Sequence, residues 1–201
     1  MLSKSTFSEE MIDEQMSHLG FRTMAFTFKI RDFFRPRRDV VKEAGLREGF
    51  RVLDYGCGPG SYVKIVAGLV GNSGRVYALD INPLAVQMVK KMAAKYQLTN
   101  VETILSDCKT GLSDESIDVV LLYDTFHDLT NADGVLEELR RVLKPKGVLS
   151  FSDHHTKEDE IVSRVTDKGL FTLLRKGDKT HSFEKEEAQK TRTDVLSVKH
   201  A

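Results

Sequence analysis

The sequence predicts an α/β fold of the doubly wound kind, a mostly parallel sheet with helices on both faces, closed by an antiparallel C-terminal hairpin. Three observations predict it. From Arg51 onward, short apolar runs alternate with segments of helical period, which implies right-handed βαβ crossovers and a parallel sheet covered on both sides. The run Ile117–Tyr123 is almost wholly apolar, as suits a strand buried on both faces. After Gly169 the rhythm changes to two strand-like runs around Lys176-Gly177-Asp178, a hairpin pattern.

Residues 1–35 read as a helical appendage. Ser8 suits the cap of a helix opening on Glu9 and Glu10, whose charges favour a helix N-terminus. Pro36 suits the first turn of another helix, with Val40, Val41 and Ala44 on one face and Gly45 at its end. Arg51–Tyr55 is the first strand and stops at a glycine cluster. A helix over 62–70 ends at Gly71, and Asn72-Ser73-Gly74 is a turn. The second strand covers 75–81. Asn82 and Pro83 read as N-cap and first helical residue, with Leu84, Met88, Met92 and Ala93 continuing a helical stripe. Val101–Leu105 is the third strand and Ile117–Tyr123 the fourth. Leu136, Leu139 and Leu143 mark a helix expected to stop at Lys144-Pro145-Lys146-Gly147, with 148–152 as the fifth strand. Ile161, Val162 and Val165 give a short helix, and 170–175 with 180–183 form the hairpin, making seven strands. Residues 36–184 are thus one domain, and 185–201 a mixed-charge tail.

The 201 residues carry 30 Lys+Arg against 30 Asp+Glu, and 40% are apolar. Zero net charge argues against a dedicated nucleic-acid binder, which needs a basic excess to neutralise phosphates. The length can bury a sizeable core. No stretch is long and apolar enough to span a bilayer, and Glu9, Glu10, Asp13 and Glu14 break any signal-peptide core. With only Cys57 and Cys108, a disulfide framework is excluded and a reducing, cytoplasmic location is expected.

The chemistry is expected at the C-terminal edge of the strands, where such sheets bind ligands. There Asp54-Tyr55-Gly56-Cys57-Gly58-Pro59-Gly60 runs from a strand through a glycine turn into a helix. The glycines permit positive φ and let a ligand approach the backbone. Asp80 ends the next strand, where an acid can hold two ribose hydroxyls. A dinucleotide fingerprint is Gly-x-Gly-x-x-Gly, whereas here the third glycine comes one residue early. A carboxylate at Asp54 would repel a pyrophosphate and welcome a cation. S-adenosylmethionine, with an ammonium, a sulfonium and no phosphate, fits that charge.

These residues resemble the class I S-adenosylmethionine-dependent methyltransferases, from about Arg51 to Phe183. The segment 52–60 resembles that family's first motif, Asp80 its ribose-binding acid, Asp118 to Asp124 its fourth-strand motif and 139–152 its fifth. The resemblance implies a Rossmann-like fold and a cofactor site of Asp54, Tyr55, Gly56, Cys57, Gly58, Gly60, Asp80, Ile81, Ser106, Asp107, Cys108 and Tyr123. In it Asp107 faces the adenine amine, and S-adenosylhomocysteine is the product. Within the class, the chain looks most like the small-molecule group that includes quinone-type enzymes. Two cysteines, both in cofactor loops, argue against metalloid methylation. Asp124-Thr125-Phe126-His127 lacks the Asn/Asp-Pro-Pro-Tyr/Phe pattern of amino-group methylation on adenine or glutamine.

Methyl transfer mainly needs alignment of acceptor and methyl group and exclusion of water. A base helps only where the acceptor loses a proton. Asp124, His127 and His155 are the candidates near the reacting atoms, with His127 either a base or a packing residue. Asp124, His127, Asp153, His154 and His155 together could gather a metal. However, neighbouring histidines on a strand point to opposite faces, so no metal site is assigned. Phe21, Met24, Phe26, Phe28, Phe33 and Phe34 accompany Lys29, Arg31, Arg35, Arg37 and Arg38. They form either a lid over the pocket, ordinary packing onto the sheet, or a homodimer contact. The expected function is methyl transfer to a small, partly apolar acceptor. The alternatives are a protein or RNA methyltransferase and a non-catalytic cofactor-binding module.

Overall fold

A computed structural model of the chain describes residues 37–186. The appendage expected over 1–35, with its aromatic residues, and most of the tail lie outside the described residues. The described helices are α1 (Arg38–Glu43), α2 (Val63–Val70), α3 (Pro83–Lys95), α4 (Ala132–Val142) and α5 (Glu158–Thr166). The strands are β1 (Arg51–Tyr55), β2 (Arg75–Asp80), β3 (Val101–Leu105), β4 (Ile117–Tyr123), β5 (Leu143–Ser152), β6 (Phe171–Lys176) and β7 (His181–Lys185). They form one sheet in the order β3-β2-β1-β4-β5-β7-β6. The first five run parallel, and β7 lies antiparallel between β5 and β6.

Side-chain alternation along the strands divides the core in two. Val52, Val76, Ala78, Val119 and Leu121 pack with Val41 of α1, Val63 and Val66 of α2, and Val89 of α3. Leu53, Leu79, Val120, Leu122 and Phe151 face the other way, onto Leu136 and Leu139 of α4 and Ile161 and Val165 of α5. Each Val, Leu, Ile or Phe among them withdrawn from water contributes roughly 1.5–3 kcal/mol. The doubly wound fold with its antiparallel end is therefore as expected. β1 lies between β2 and β4, so the strand order reverses there and opens a crevice at the C-terminal ends of β1 and β4.

Two boundaries differ from expectation. β5 begins at Leu143, five residues before Val148, because its ladder to β4 jumps from Ile117↔Leu143 to Val119↔Val148. Lys144-Pro145-Lys146-Gly147 is looped out between those pairs, which suits Pro145, with no N–H to give a ladder. Gly147 is pressed there, since a Cβ on it would lie 2.8 Å from Leu143 Cδ2. β7 reaches Lys185, which pairs with Phe171, so the strand enters the stretch expected as tail.

Elements distant in sequence meet beside the hairpin. The Glu43 carboxylate, at the end of α1, accepts from Thr180 N at 2.9 Å and Thr180 Oγ1 at 3.0 Å, in the β6–β7 loop.

Candidate active site

The glycine loop leaves β1 at the crevice. The amides of Gly56 and Cys57 both donate to the Leu79 carbonyl, each at 2.9 Å, tying the loop to β2. Gly56, Gly58 and Gly60 have φ of +74°, +52° and +87°, where side chains are strained. A Cβ on Gly56 would lie 2.3 Å from Thr125 Oγ1, just beyond β4. A Cβ on Gly60 would lie 3.0 Å from Met92 Cε and 3.1 Å from Val89 Cγ2 of α3. Gly58 differs: among the described residues, nothing lies within 4 Å of its Cβ position. The outer glycines allow packing, and the middle one borders open space.

Asp80 stands where the sequence places it, at the end of β2. Its Oδ2 accepts from Gly58 N and its Oδ1 from Asn82 N, both at 2.8 Å. Burial raises its pKa, and the two amide bonds oppose that rise. Asn82 caps α3 by accepting from Leu84 N at 2.9 Å. Asp54 shares the Val52 side of β1 and is 2% exposed. Its Oδ2 has no hydrogen-bond partner among the described residues. Burial first, and the charge of Asp80 second, push its pKa up to about 7.

These observations test the fit to S-adenosylmethionine. A buried carboxylate oxygen without a donor is satisfied by a cation. The open space at Gly58 admits a ligand to the backbone, and Asp80 borders it. Asp54, Gly58 and Asp80 fit the group: Asp54 would hold the ammonium and Asp80 the ribose.

The other expected cofactor residues divide. Ile81 is 66% exposed, an apolar surface beside Asp80. Tyr55 is buried, and its hydroxyl donates to the Asp107 carbonyl at 3.1 Å, holding the β3–β4 loop. Ser106 donates through Oγ to the Lys109 carbonyl and through its amide to the Asp80 carbonyl. Cys108 packs against the cluster beneath α4. Cys57 is buried beside Tyr62 and Val63, and burial pushes its thiol well up, so it fills space as an inert thiol. The Tyr123 ring is also buried; its hydroxyl lies 2.7 Å from Ser150 Oγ and its ring meets Tyr62 edge-on. Tyr123 and Cys57 therefore give their side chains to the core, not to the open cleft.

The ends of β4 and β5 bring the remaining candidates together. Asp124 adopts φ +50°, and its amide donates to the Ser152 carbonyl at 2.7 Å. Its Oδ1 lies 2.6 Å from His154 Nδ1, and its Oδ2 lies 3.9 Å from Arg37 Nη1. Arg37, from the basic segment, also donates to the Tyr62 hydroxyl and lies over that ring. His127 sits in a short 3₁₀ turn, Phe126–Asp128, anchored by buried Phe126 against Phe151. Its Nδ1 is 2.9 Å from Asp153 Oδ2. The expectation that His154 and His155 point to opposite faces is overturned. β5 stops at Ser152, both histidines lie in the following turn, and their rings are 4.0 Å apart. His155 also lies 4.3 Å from the His127 ring. Among the described residues, no three His, Cys, Asp or Glu side chains are grouped to hold a metal.

Two supporting residues escape sequence reasoning. Thr125 holds β4 against the glycine loop, as the Gly56 contact shows. Glu138 of α4, 1% exposed, accepts from Thr110 N at 2.8 Å, Thr110 Oγ1 at 2.7 Å and Arg141 Nη2 at 2.7 Å. Those bonds, Arg141 foremost, hold its carboxyl down at about 2. Glu138 followed by Arg141 at helical spacing is the available signal. A surface cavity of about 510 Å³ lined by Asp114, Glu115, Arg140 and Lys185 lies before β4, at the opposite end of the strands from the glycine loop. Its Lys185 pairs with Glu115, and Arg140 donates to the carbonyls of Leu170 and Glu186.

The chain is similar to known proteins. A family model described as a methyltransferase domain matches residues 46–193. The ubiquinone/menaquinone biosynthesis C-methyltransferase UbiE of Hydrogenovibrio crunogenus is 30% identical over 148 residues, covering 70% of this chain and 56% of that protein. Its counterpart in Shewanella frigidimarina is 28% identical over 142 residues, covering 70% of this chain and 57% of that protein. The chain thus spans somewhat over half the length of the curated relatives it matches. The crystal structure of a SAM-dependent methyltransferase from Aquifex aeolicus superposes with a TM-score of 0.68 at 29% identity, covering 79% of this chain and 95% of that one. With the family match extending over most of its length, this chain belongs to the class I S-adenosylmethionine-dependent methyltransferases.

Proposed function

We propose that the chain transfers a methyl group to a small, partly apolar acceptor of the quinone type. The observation that carries the reading is the buried Asp54 carboxylate, with an oxygen that has no partner among the described residues, at the start of the glycine loop. S-adenosylmethionine, when bound, supplies a methyl group on a positively charged sulfur. The chain's own contribution is placement. Asp54 and Asp80 fix the cofactor's polar ends, and the Gly56–Thr125 contact keeps the glycine loop against β4. Asp124, His127 and His155 stand at the neighbouring strand ends, on the acceptor side. Similarity to the UbiE proteins, whose name specifies a ubiquinone/menaquinone biosynthesis C-methyltransferase, supports an acceptor of that class. The two free cysteines and the absence of a membrane-length apolar helix among the described residues accord with a cytoplasmic setting.

Calorimetry with S-adenosylmethionine, native against Asp80→Ala, tests the cofactor site. Formation of S-adenosylhomocysteine across quinols, thiols and amines tests turnover. Absence of binding by the native protein removes the reading, and binding without turnover of any acceptor reduces the chain to a binding module.

A further inference from the structure

We propose that His127, oriented by Asp153, receives the proton released by the acceptor, and that the acceptor is therefore a protic nucleophile: an aromatic hydroxyl, or a ring carbon activated by one. The inference rests on the methyltransferase reading above and adds an acceptor chemistry and a positioning residue to it.

Asp153 follows β5, His127 follows β4, and the two strands are neighbours. The Asp153 side chain is fully buried, and the His127 side chain is 27% exposed. The carboxylate is fixed independently of the imidazole. Its Oδ2 accepts from the His127 amide and its Oδ1 from the His155 amide, both at 3.0 Å. His127 Nδ1 then lies 2.9 Å from Oδ2 and 3.1 Å from Oδ1. An ionised carboxylate only accepts, so Nδ1 carries the ring hydrogen and Nε2 carries the lone pair. The bonds from His127 and His155 outweigh the burial of Asp153 and hold its pKa below the ordinary value. A fixed negative charge is thus in place for the imidazolium. A fixed carboxylate orienting a partly exposed imidazole is the arrangement of an oriented general base. Thr125, two residues before His127, lies against Gly56 of the glycine loop, and His127 follows it at the C-terminal end of β4.

The step balances. At an aromatic hydroxyl the O–H bond breaks, its pair stays on oxygen, and an oxygen pair forms the new bond to the methyl carbon. At a ring carbon the hydroxyl O–H pair is pushed toward the ring, the ring π pair forms the new bond, and the ring C–H proton then returns to the oxygen as aromaticity is restored, so one proton is released in either case. The carbon–sulfur bond breaks with its pair remaining on sulfur, cancelling the positive charge there. The proton passes to Nε2 of His127 and leaves at the exposed side of the ring, where Asp128 Oδ2 lies 3.4 Å away. Tertiary amines and thioethers have no proton to lose and gain nothing from this pair.

The test uses the full chain in three forms: native, Asp153→Asn and His127→Gln. Nitrogen-resolved NMR of the histidine rings, without ligand, reads the tautomer. Calorimetry reads S-adenosylmethionine affinity. S-adenosylhomocysteine release is followed with a series of naphthalenediols and phenols of graded acidity. We expect the Nδ1–H tautomer in the native protein and its loss in Asp153→Asn. Cofactor affinity should stay within about threefold. Turnover of the least acidic acceptor should fall about 100-fold, in the range of general-base catalysis, and the deficit should shrink as acceptors become acidic enough to arrive ionised. An Nε2–H tautomer in the native protein overturns the proposal. So does a deficit equal across the series, which a purely structural role would give, or undiminished turnover by both variants. His127→Gln, at a partly exposed position, carries the test if Asp153→Asn fails to fold. A native protein that binds no cofactor defeats the methyltransferase reading itself. One that turns over only acceptors without an ionisable proton, or none of the series, defeats the protic acceptor and leaves cofactor binding standing.

Discussion

Asp54 and Asp80, at the ends of adjoining strands, differ in how their oxygens are used. Asp80 gives one oxygen to Gly58 N and the other to Asn82 N, while Asp54 keeps a buried oxygen without a donor among the described residues. The difference separates a carboxylate that builds the loop from one that waits for a charge.

The first prediction concerns Asp54 and the stability of the ligand-free protein. Its folded pKa of about 7 lies above the ordinary 3.8, so the folded state holds the proton more tightly than the unfolded one. Its contribution to stability is complete below about pH 4 and is lost as pH rises through 7. Asp54→Asn should flatten that slope and raise the melting temperature at pH 8, by an amount equivalent to at most about 4 kcal/mol. Thermal melts at pH 5 and pH 8 check this, and a native-like slope in the variant refutes it.

The same group couples cofactor binding to proton release. A cationic ligand on Asp54 requires the ionised form, so binding at pH 6 should expel close to one proton and binding at pH 8.5 almost none. Calorimetry in buffers of different ionisation enthalpy measures that number. Asp54→Asn should remove the release and weaken binding at least tenfold, equivalent to about 1.4 kcal/mol or more.

The glycines separate folding from binding. Gly56→Ala drives a methyl into Thr125 and should destabilise the protein by about 2–3 kcal/mol, as overpacking of a fixed site does. Gly58→Ala meets nothing within 4 Å among the described residues and should cost only about 1–2 kcal/mol of left-handed backbone strain. Its methyl enters the space a ligand needs, so its defect should appear chiefly in affinity. Chemical denaturation and cofactor titration of both variants distinguish the two cases.

Glu138 fixes acid stability. Its folded pKa of about 2 lies below the ordinary 4.5, so its stabilisation is present above pH 4.5 and is lost as pH falls from there toward 2. Glu138→Ala leaves Thr110 without its acceptor and Arg141, among the described residues, with only Asp114 and the Leu112 carbonyl, and should cost about 2–3 kcal/mol at pH 7. Urea denaturation at pH 7 and pH 3 should show that deficit narrowing at the lower pH.

Much of this was legible in the residues because it is local. Glycines at Gly56, Gly58 and Gly60 announce a turn, Asn82-Pro83 announces a capped helix, and an apolar run over Ile117–Tyr123 announces a doubly covered strand. What stayed hidden depends on partners distant in sequence. Nothing near Thr125 indicates that it meets Gly56, and nothing near Asp153 names His127 as its partner. The start of β5 was missed because Pro145 and Gly147 read as a break, whereas they occupy a bulge inside one strand. The two histidines after Ser152 were misjudged for a related reason. Strand alternation holds only while the ladder lasts, and the ladder ends one residue before Asp153.

The bond from Glu43 to the β6–β7 loop bears on the order in which the molecule assembles. Its partners lie 137 residues apart in the chain, and closing so long a loop is entropically unfavourable until the intervening sheet has formed. That junction is therefore expected to close among the last events of folding and to open among the first. Loss of either element would release the other, so α1 and the hairpin, though distant in sequence, should fray as a single unit.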